Sequence, residues 1–147
     1  MALGYRDNVM TKLRLLATDT SDLEVMAGAS QDAIFQIGQS RYDRDGLSFT
    51  LRLSRYMHEA ASPLRIESGL RFDGVLAVRS QGVDLSKEEA FVVLLGLEFK
   101  ATDSPAGQIN LTLAGGGVIQ IDVEAIDVTL ADIGDPRKTK RIPKHDD

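Results

Sequence analysis

The feature that most restricts the folds open to this sequence is a period-two alternation of apolar and polar residues. In the segment GLSFTLRLSRY the apolar residues fall at every second position, at Leu47, Phe49, Leu51 and Leu53. Successive side chains of a β-strand point to opposite faces of the sheet. The segment therefore predicts a strand with one buried face and one solvated face.

Two further alternating segments, QINLTLA and VIQIDV, flank three consecutive glycines at positions 115–117. A phosphate-binding loop requires a helix directly after its glycines, because free backbone N–H groups and the helix dipole must both meet the anion. Here a strand follows the glycines instead. We therefore interpret them as the tip of a β-hairpin in which glycine supplies positive φ angles.

Strands are also predicted over residues 12–17, 32–38 and 69–80. In the last of these segments, one face is expected to carry Leu70, Phe72, Leu76 and Val78. Residues 91–99 are apolar on both alternating faces, which is typical of a central strand covered on both sides. A buried helix is the alternative for this segment, but Gly96 and the β-branched and aromatic residues favour a strand.

Two helices and one helical turn are predicted. The first helix follows the strand at 12–17, with Ser21 as its N-cap and Glu24 closing a capping box. The second occupies VEAIDVTLADIG, where a helical stripe is formed by Val123, Ile126, Leu130 and Ile133. A further capping box, Ser86 with Glu89, predicts a helical turn ahead of residue 91.

These elements predict a single globular domain over residues 12–134, with a flexible lead at 1–11 and a polar tail at 135–147. The predicted fold class is α+β, mainly β, with a strongly bent antiparallel sheet or small barrel of about seven strands. A short N-terminal helix and a C-terminal helix complete the fold, which is expected to be like that of pleckstrin-homology domains. The alternative is a two-layer α+β sandwich with a flatter sheet and both helices on one face.

The amino-acid composition limits the cellular compartment and the classes of partner that are expected. The chain has no cysteine, which removes disulfides and sulfur-based zinc sites and is typical of a reducing cytosol. No segment approaches the ~20 apolar residues of a membrane span, and the N-terminus has no apolar run of the signal-peptide kind. The net charge of -5 argues against nucleic acid, because phosphate neutralisation requires the opposite balance. We therefore predict a cytoplasmic protein that binds neither membranes nor nucleic acid.

No catalytic residue, metal site or cofactor is predicted. The stretch HEAAS, which begins at His58, matches the first half of the HExxH motif of zinc proteases. Position 62 is serine, however, and Pro63 ends any helix there, so His58 is interpreted as a loop residue. The other histidine, His145, falls in the predicted tail, as do the basic residues RKTKR at 137–141, which are interpreted as solvated.

Three arginines form the one set of side chains that suggests a binding site. Arg52, Arg71 and Arg79 are all expected on the strand face opposite the apolar stripe. Because a planar guanidinium suits carboxylate and phosphate groups, these three residues form a candidate anion-binding patch. The alternative is a solvated sheet face on which they pair with local acidic residues such as Asp73 and Glu98.

Four segments carry a resemblance to a known family: SDLEVMAGASQDA, GVLAVRSQGVD, AGGGVIQIDVEAIDVTLADIG and PKHDD. Together they resemble an uncharacterised, mainly alphaproteobacterial family that is catalogued as a domain of unknown function. The resemblance covers nearly all of the chain after Met10 and implies a cytosolic protein. It implies no activity, cofactor or catalytic residue.

Three functions remain open from the sequence. The sequence predicts a complete folded domain but no cluster of reactive side chains, which favours a non-enzymatic binding or protein-interaction module. Its contact would be a protein partner or a second copy of the chain in a homodimer. The alternative is a binder of small anionic metabolites that uses Arg52, Arg71 and Arg79 on an arginine-lined sheet face. An enzyme of unknown type is least favoured, because it would need His58 to meet a carboxylate and a hydroxyl in a pocket.

Overall fold

The computed structural model describes residues 12–143, which form an antiparallel sheet of eleven strands and one α-helix. The first half contains β1 (Arg14–Ala17), α1 (Thr20–Ser30), β2 (Ala33–Gln36), β3 (Ser40–Asp43), β4 (Ser48–Tyr56) and β5 (Leu64–Asp73). The second half contains β6 (Val75–Gln81), β7 (Phe91–Ala101), β8 (Gly107–Leu113), β9 (Val118–Val123), β10 (Val128–Asp132) and β11 (Arg137–Lys138). A 3-10 turn, Ile37–Gln39, separates β2 from β3.

The strands follow the order β1-β10-β5-β4-β2-β7-β8-β9-β6, with β3 added beside β4 and β11 beside β5. β4 and β5 pair in continuous register, from Ser48 opposite Asp73 to Tyr56 opposite Arg65. β11 extends the line of β10 along the same edge of β5. Within residues 12–143, β1 and β6 do not pair with each other, so the antiparallel sheet is not closed into a barrel.

One face of the sheet, the inner face, carries the hydrophobic core. The alternation predicted for β4 is confirmed for Phe49, Leu51 and Leu53, which are each at most 2% exposed. The inward position predicted for Leu47 is wrong, because this residue precedes the strand with a φ of 52° and is 39% exposed. α1 packs against β1, β4 and β7 and inserts Leu23 and Met26 into the core. The residues between the core positions lie on the opposite, outer face, where the candidate site is found.

The three glycines form the tip of the β8–β9 hairpin, as predicted. Gly115 and Gly116 adopt φ angles of 90° and 99°, in the left-handed region that favours glycine. The strand predicted at 91–99 is also confirmed, as β7. Its two faces differ, because Leu94 is buried in the core whereas Phe91 is 68% exposed. β7 is therefore fully covered on one face rather than on both.

The predicted C-terminal helix is wrong. Residues 128–132 form β10, which pairs with β1 on one side and β5 on the other. Of the residues whose spacing suggested a helix, Val123 ends β9 and Leu130 is a buried residue of β10, whereas Ile126 and Ile133 lie outside both strands. Hydrogen bonds to two neighbouring strands favour the extended form, and a local pattern contains no information about those neighbours.

The segment predicted as one strand at 69–80 is two strands. Gly74, with a φ of 67°, turns the chain between β5 and β6. This turn shifts the alternation by one residue, so Val75 is fully buried while Leu76 is 52% exposed. A bulge between Val75 and Ala77 then shifts it back, and Val78 packs against the core as predicted. The inward position predicted for Leu76 is therefore wrong, although Phe72 faces the core as expected.

The sheet has more strands than predicted, because the sequence patterns do not indicate β3, β10 and β11 and do not separate β5 from β6. Helix capping also differs. The N-cap of α1 is Asp19 rather than Ser21, and Asp22 N donates to Asp19 Oδ1 at 2.8 Å. The turn at Ser86 is not helical, because Asp84 Oδ1 accepts hydrogen bonds from both N and Oγ of Ser86.

Gly107 is expected to tolerate no side chain. A Cβ at this position would lie 2.5 Å from the backbone oxygen of Lys100 and against the ring of Phe99. Gly107→Ala is therefore expected to lower the free energy of unfolding by about 1–3 kcal/mol through overpacking, as measured by urea denaturation. Gly96→Ala, on the paired strand, is the matched control, because its Cβ would meet nothing within 4 Å. Equal losses in the two variants would contradict the close approach.

Candidate anion-binding groove

The outer face of β4 and β5 carries charged and polar residues at the positions between the core residues. Those of β4 include Arg52 and Ser54, and those of β5 include Arg65 and Glu67. Ser54 lies directly opposite Glu67 in the register of the two strands. The same period that builds the core therefore brings these side chains together on the outer face.

The chain that follows β10 borders this set of residues. β11 pairs Arg137 with Arg65, and Thr139 N donates to Pro63 O at 3.2 Å. The Arg137 side chain reaches across the outer face, where its Nη2 donates to Ser54 Oγ at 3.2 Å. The segment predicted as a polar tail thus contributes to the same surface as β4 and β5.

Two adjoining cavities lie on this surface, and together we call them the arginine groove. The first holds about 330 Å³, and its charged lining residues are Arg52, Arg65, Glu67, Arg137 and Arg141. The second holds about 430 Å³ and extends over β7. The two share Ile34, Arg65 and Arg141, which therefore lie at the boundary between them.

Arg65 is the central residue of the groove. It is only 7% exposed, and its guanidinium lies over the ring of Tyr56 at 5.6 Å from the centroid. Nη1 donates to Ser54 O at 2.9 Å, and both terminal nitrogens donate to Asp32 O at 3.3 Å. Burial, and then the positive charge of Arg137, lower the pKa of Arg65, while the Asp32 charge opposes that shift. Arginine nonetheless stays a cation at any physiological pH.

The charges in the groove are not balanced. Its lining contains four arginines but two carboxylates, Glu67 and Asp32. Glu67 is already hydrogen-bonded by Arg52, whose Nε donates to Glu67 Oε1 at 2.7 Å. Across the described part of the chain, no carboxylate lies within ion-pair distance of the guanidinium groups of Arg65, Arg137 and Arg141. The groove is thus a cationic site on a protein whose net charge is -5.

The three arginines predicted from the sequence do not form one patch. Arg52 belongs to the groove, and Arg71 lies diagonally across the β4–β5 pair from it, bonded to Asp73 at 3.0 Å. Arg79 is on β6, at the far end of the strand order, and donates to Asp122 at 2.9 Å. The predicted pairing of Arg71 with Asp73 is present. Anion binding by these three arginines stays a prediction.

Sequence analysis missed three residues of the groove: Arg65, Arg137 and Arg141. The strand that contains Arg65 was expected to begin at Gly69, although Leu64, Ile66 and Ser68 already alternate with charged residues ahead of it. That extension was the available signal for Arg65. Nothing local signals the other two residues, because their place in the groove depends on the pairing of β11 with β5.

Within residues 12–143, His58 does not belong to a reactive cluster. His58 is exposed in the turn after β4, as the sequence predicts, with Nε2 2.8 Å from Gln31 O and its ring edge-on to Tyr56. His145 and the predicted flexible lead lie outside the described residues. Among the residues described, no group of three or more His, Cys, Asp or Glu side chains could hold a metal ion. No helix of residues 12–143 is long and apolar enough to cross a membrane.

A second polar cluster is enclosed in the inner face. The side chains of Arg55 and Asp132 are both 0% exposed, and Arg55 donates to the Asp132 carboxylate at 3.0 and 2.9 Å. Asp132 also accepts from Ser68 Oγ at 2.6 Å and from Leu13 N at 2.7 Å. Both carboxylate oxygens are therefore fully engaged. The cluster connects β1, β4, β5 and β10 and has a structural role.

Comparison with known proteins adds a family but no activity. No curated protein and no solved structure matches the chain, so its likeness to pleckstrin-homology domains stays a prediction. A family model described as a protein of unknown function, DUF2948, matches residues 13–145. The match includes the groove and both of its C-terminal arginines. Because the model spans nearly the whole sequence, the chain belongs to the DUF2948 family.

Proposed function

We propose that this protein is a non-enzymatic binding module whose arginine groove holds a small anionic ligand bearing a phosphate or carboxylate group. The observation that carries the proposal is the convergence of Arg65, Arg137 and Arg141 on one groove, where no carboxylate of residues 12–143 lies within ion-pair distance of their guanidinium groups. The other outward arginines discussed above, Arg52, Arg71 and Arg79, each have a carboxylate partner.

The burial of Arg65 supports this proposal. Removing a cation from water costs several kcal/mol unless charge and hydrogen bonds compensate for the lost hydration. Carbonyl oxygens of Asp32 and Ser54, the ring of Tyr56 and the nearby charge of Asp32 compensate for part of this cost. A bound anion would supply the remaining compensation, and its hydrogen bonds to a guanidinium would be of the strong, charge-assisted kind.

The groove is also organised before a ligand arrives. Tyr56 and two backbone carbonyls hold Arg65 in place, and Ser54 positions Arg137. Preformed donors reduce the ordering entropy that binding must overcome. The remaining polar groups support holding rather than reaction, because Glu67 is engaged by Arg52 and the Ser54 hydroxyl accepts from Arg137. A binding module is therefore better supported than an enzyme.

Arg141→Ala is expected to weaken binding of inorganic phosphate or malonate about tenfold, because it removes a charge-assisted contact without disturbing the core. The residue is exposed, so folding should not change. Binding would be followed by two-dimensional NMR titration at fixed ionic strength, since salt screens such contacts. The shifted amides should cluster around Ser54, Arg65 and Thr139.

Arg79→Ala is the matched control, because it removes the same charge from the opposite end of the strand order. It should leave the affinity unchanged. An equal loss in both variants would indicate either a general charge effect or the patch predicted from the sequence. The proposal fails if neither anion shifts any groove amide in the wild-type protein.

A further inference from the structure

The second cavity of the groove points to the kind of anion that is bound. We infer that the ligand is a phosphate monoester or a carboxylate that carries a short apolar substituent. This inference rests on the proposed anion-binding function and adds to it the chemical class of the ligand. The anionic group would occupy the first cavity, and the apolar substituent would occupy the second.

The two cavities have different walls. The first has four arginines and Glu67 in its wall, beside the apolar residues Ile34, Leu53 and Phe91. The second, of about 430 Å³, is lined largely by apolar residues, namely Ile34, Val93, Leu95, Ala114, Ile142 and Pro143. Arg65 and Arg141 line both. A ligand whose charge lies at these two arginines would therefore place a neighbouring group against the apolar wall.

These apolar residues are not required by the core. Ile34 on β2 and Val93 on β7 are register partners that project to the outer face, and Leu95 follows on the same side of β7. All three lie outside the hydrophobic core cluster and remain partly exposed. The outer face of β10, in contrast, carries Thr129 and Ala131. An apolar wall next to a cationic site is therefore a local feature of the groove.

The size and ends of the second cavity favour a small substituent. Ligand sites typically measure roughly 300–1,000 Å³ and combine apolar walls with a few placed polar groups. Ala114 lines this cavity at the point where the chain turns after β8, and Ala114 N donates to Val93 O at 2.9 Å. A short alkyl chain fits this arrangement of one cationic end and one apolar end.

Methyl phosphate and hexyl phosphate are the probes that test the inference, because they have the same charged group and differ only in five methylenes. Each methylene that is half buried in the cavity should raise the affinity about twofold. Over the five methylenes, hexyl phosphate is therefore expected to bind at least about tenfold more tightly than methyl phosphate. The amides of Val93 and Ala114 should shift with hexyl phosphate and not with methyl phosphate. Two-dimensional NMR titration measures both effects.

Leu95→Asn and Ala114→Gln are expected to remove most of this gain, measured as the ratio of hexyl phosphate to methyl phosphate affinity within each variant. Ala114 is exposed in a turn, so that variant should fold even if Leu95→Asn does not. Leu76→Asn, an exposed leucine on β6, is the control and should preserve the gain.

The outcomes separate the two proposals. Equal affinities of the two esters, with groove amides shifting for both, would overturn this inference and leave anion binding supported. Hexyl phosphate shifts spread over the whole surface, or centred on Leu76, would also overturn it. If neither ester shifts the groove amides, the proposed function fails as well.

Discussion

Replacing Asp132 with alanine is expected to lower the free energy of unfolding by roughly 3–5 kcal/mol, because it leaves the buried Arg55 cation without its main partner. Both side chains are fully buried, so water cannot replace the lost hydrogen bonds. The loss should lie toward the lower figure, since Glu59 still pairs with Arg55 at 3.0 and 2.9 Å. Urea denaturation at neutral pH measures the difference.

The control for this variant is Arg71→Ala, which removes an ion pair of similar length, 3.0 Å, whose side chains are 53% and 34% exposed. It should cost less than about 1 kcal/mol, because solvent screens exposed pairs. A loss at Asp132 no larger than that at Arg71 would contradict the structural role of the buried cluster.

The pH dependence of the same variant gives an independent readout. Burial opposes ionisation of Asp132, but the hydrogen bonds from Arg55, Ser68 and Leu13 outweigh it and lower the pKa of the carboxyl. A depressed pKa contributes stability above the unfolded value of about 3.9, and that contribution is lost as the pH falls through the folded pKa. The gap between wild type and Asp132→Ala should therefore shrink when the pH is lowered below about 4.

Phe72→Ala is expected to lower the free energy of unfolding by about 3–5 kcal/mol, since it removes a large buried side chain and leaves a cavity. Phe72 is 0% exposed and packs against Phe49, with ring centroids 6.2 Å apart. It lies on β5, which pairs with both β4 and β10 at this level, so the surrounding backbone has little freedom to close the cavity.

Leu76→Ala is the matched control, because the sequence pattern places Leu76 on the same face as Phe72 whereas the structure exposes it. It should change the free energy of unfolding by less than about 1 kcal/mol, as surface substitutions generally do. Urea denaturation of both variants compares them directly. Similar large losses would show that the chain continues past Gly74 with its alternation unchanged, contrary to the structure.

The arginines of the groove differ in whether the local sequence pattern predicts their positions. The alternation of β4 is enough to place Arg52 on the outer face, and the structure confirms that face. The same alternation, extended along β5 ahead of Gly69, also predicts the position of Arg65 on the outer face. Arg137 and Arg141 are in a basic stretch that resembles a solvated tail, and their place in the groove follows from long-range pairing.

The sequence by itself determined the strand-rich character of the chain, the inner residues of β4 and the glycine hairpin, because period-two alternation and positive-φ glycines act over a few residues. The tertiary structure decided that residues 128–132 form a strand rather than a helix, that Val75 rather than Leu76 is buried after Gly74, and which arginines share a groove. Each of these depends on hydrogen bonds or packing from strands distant in sequence, whose register a local pattern does not contain.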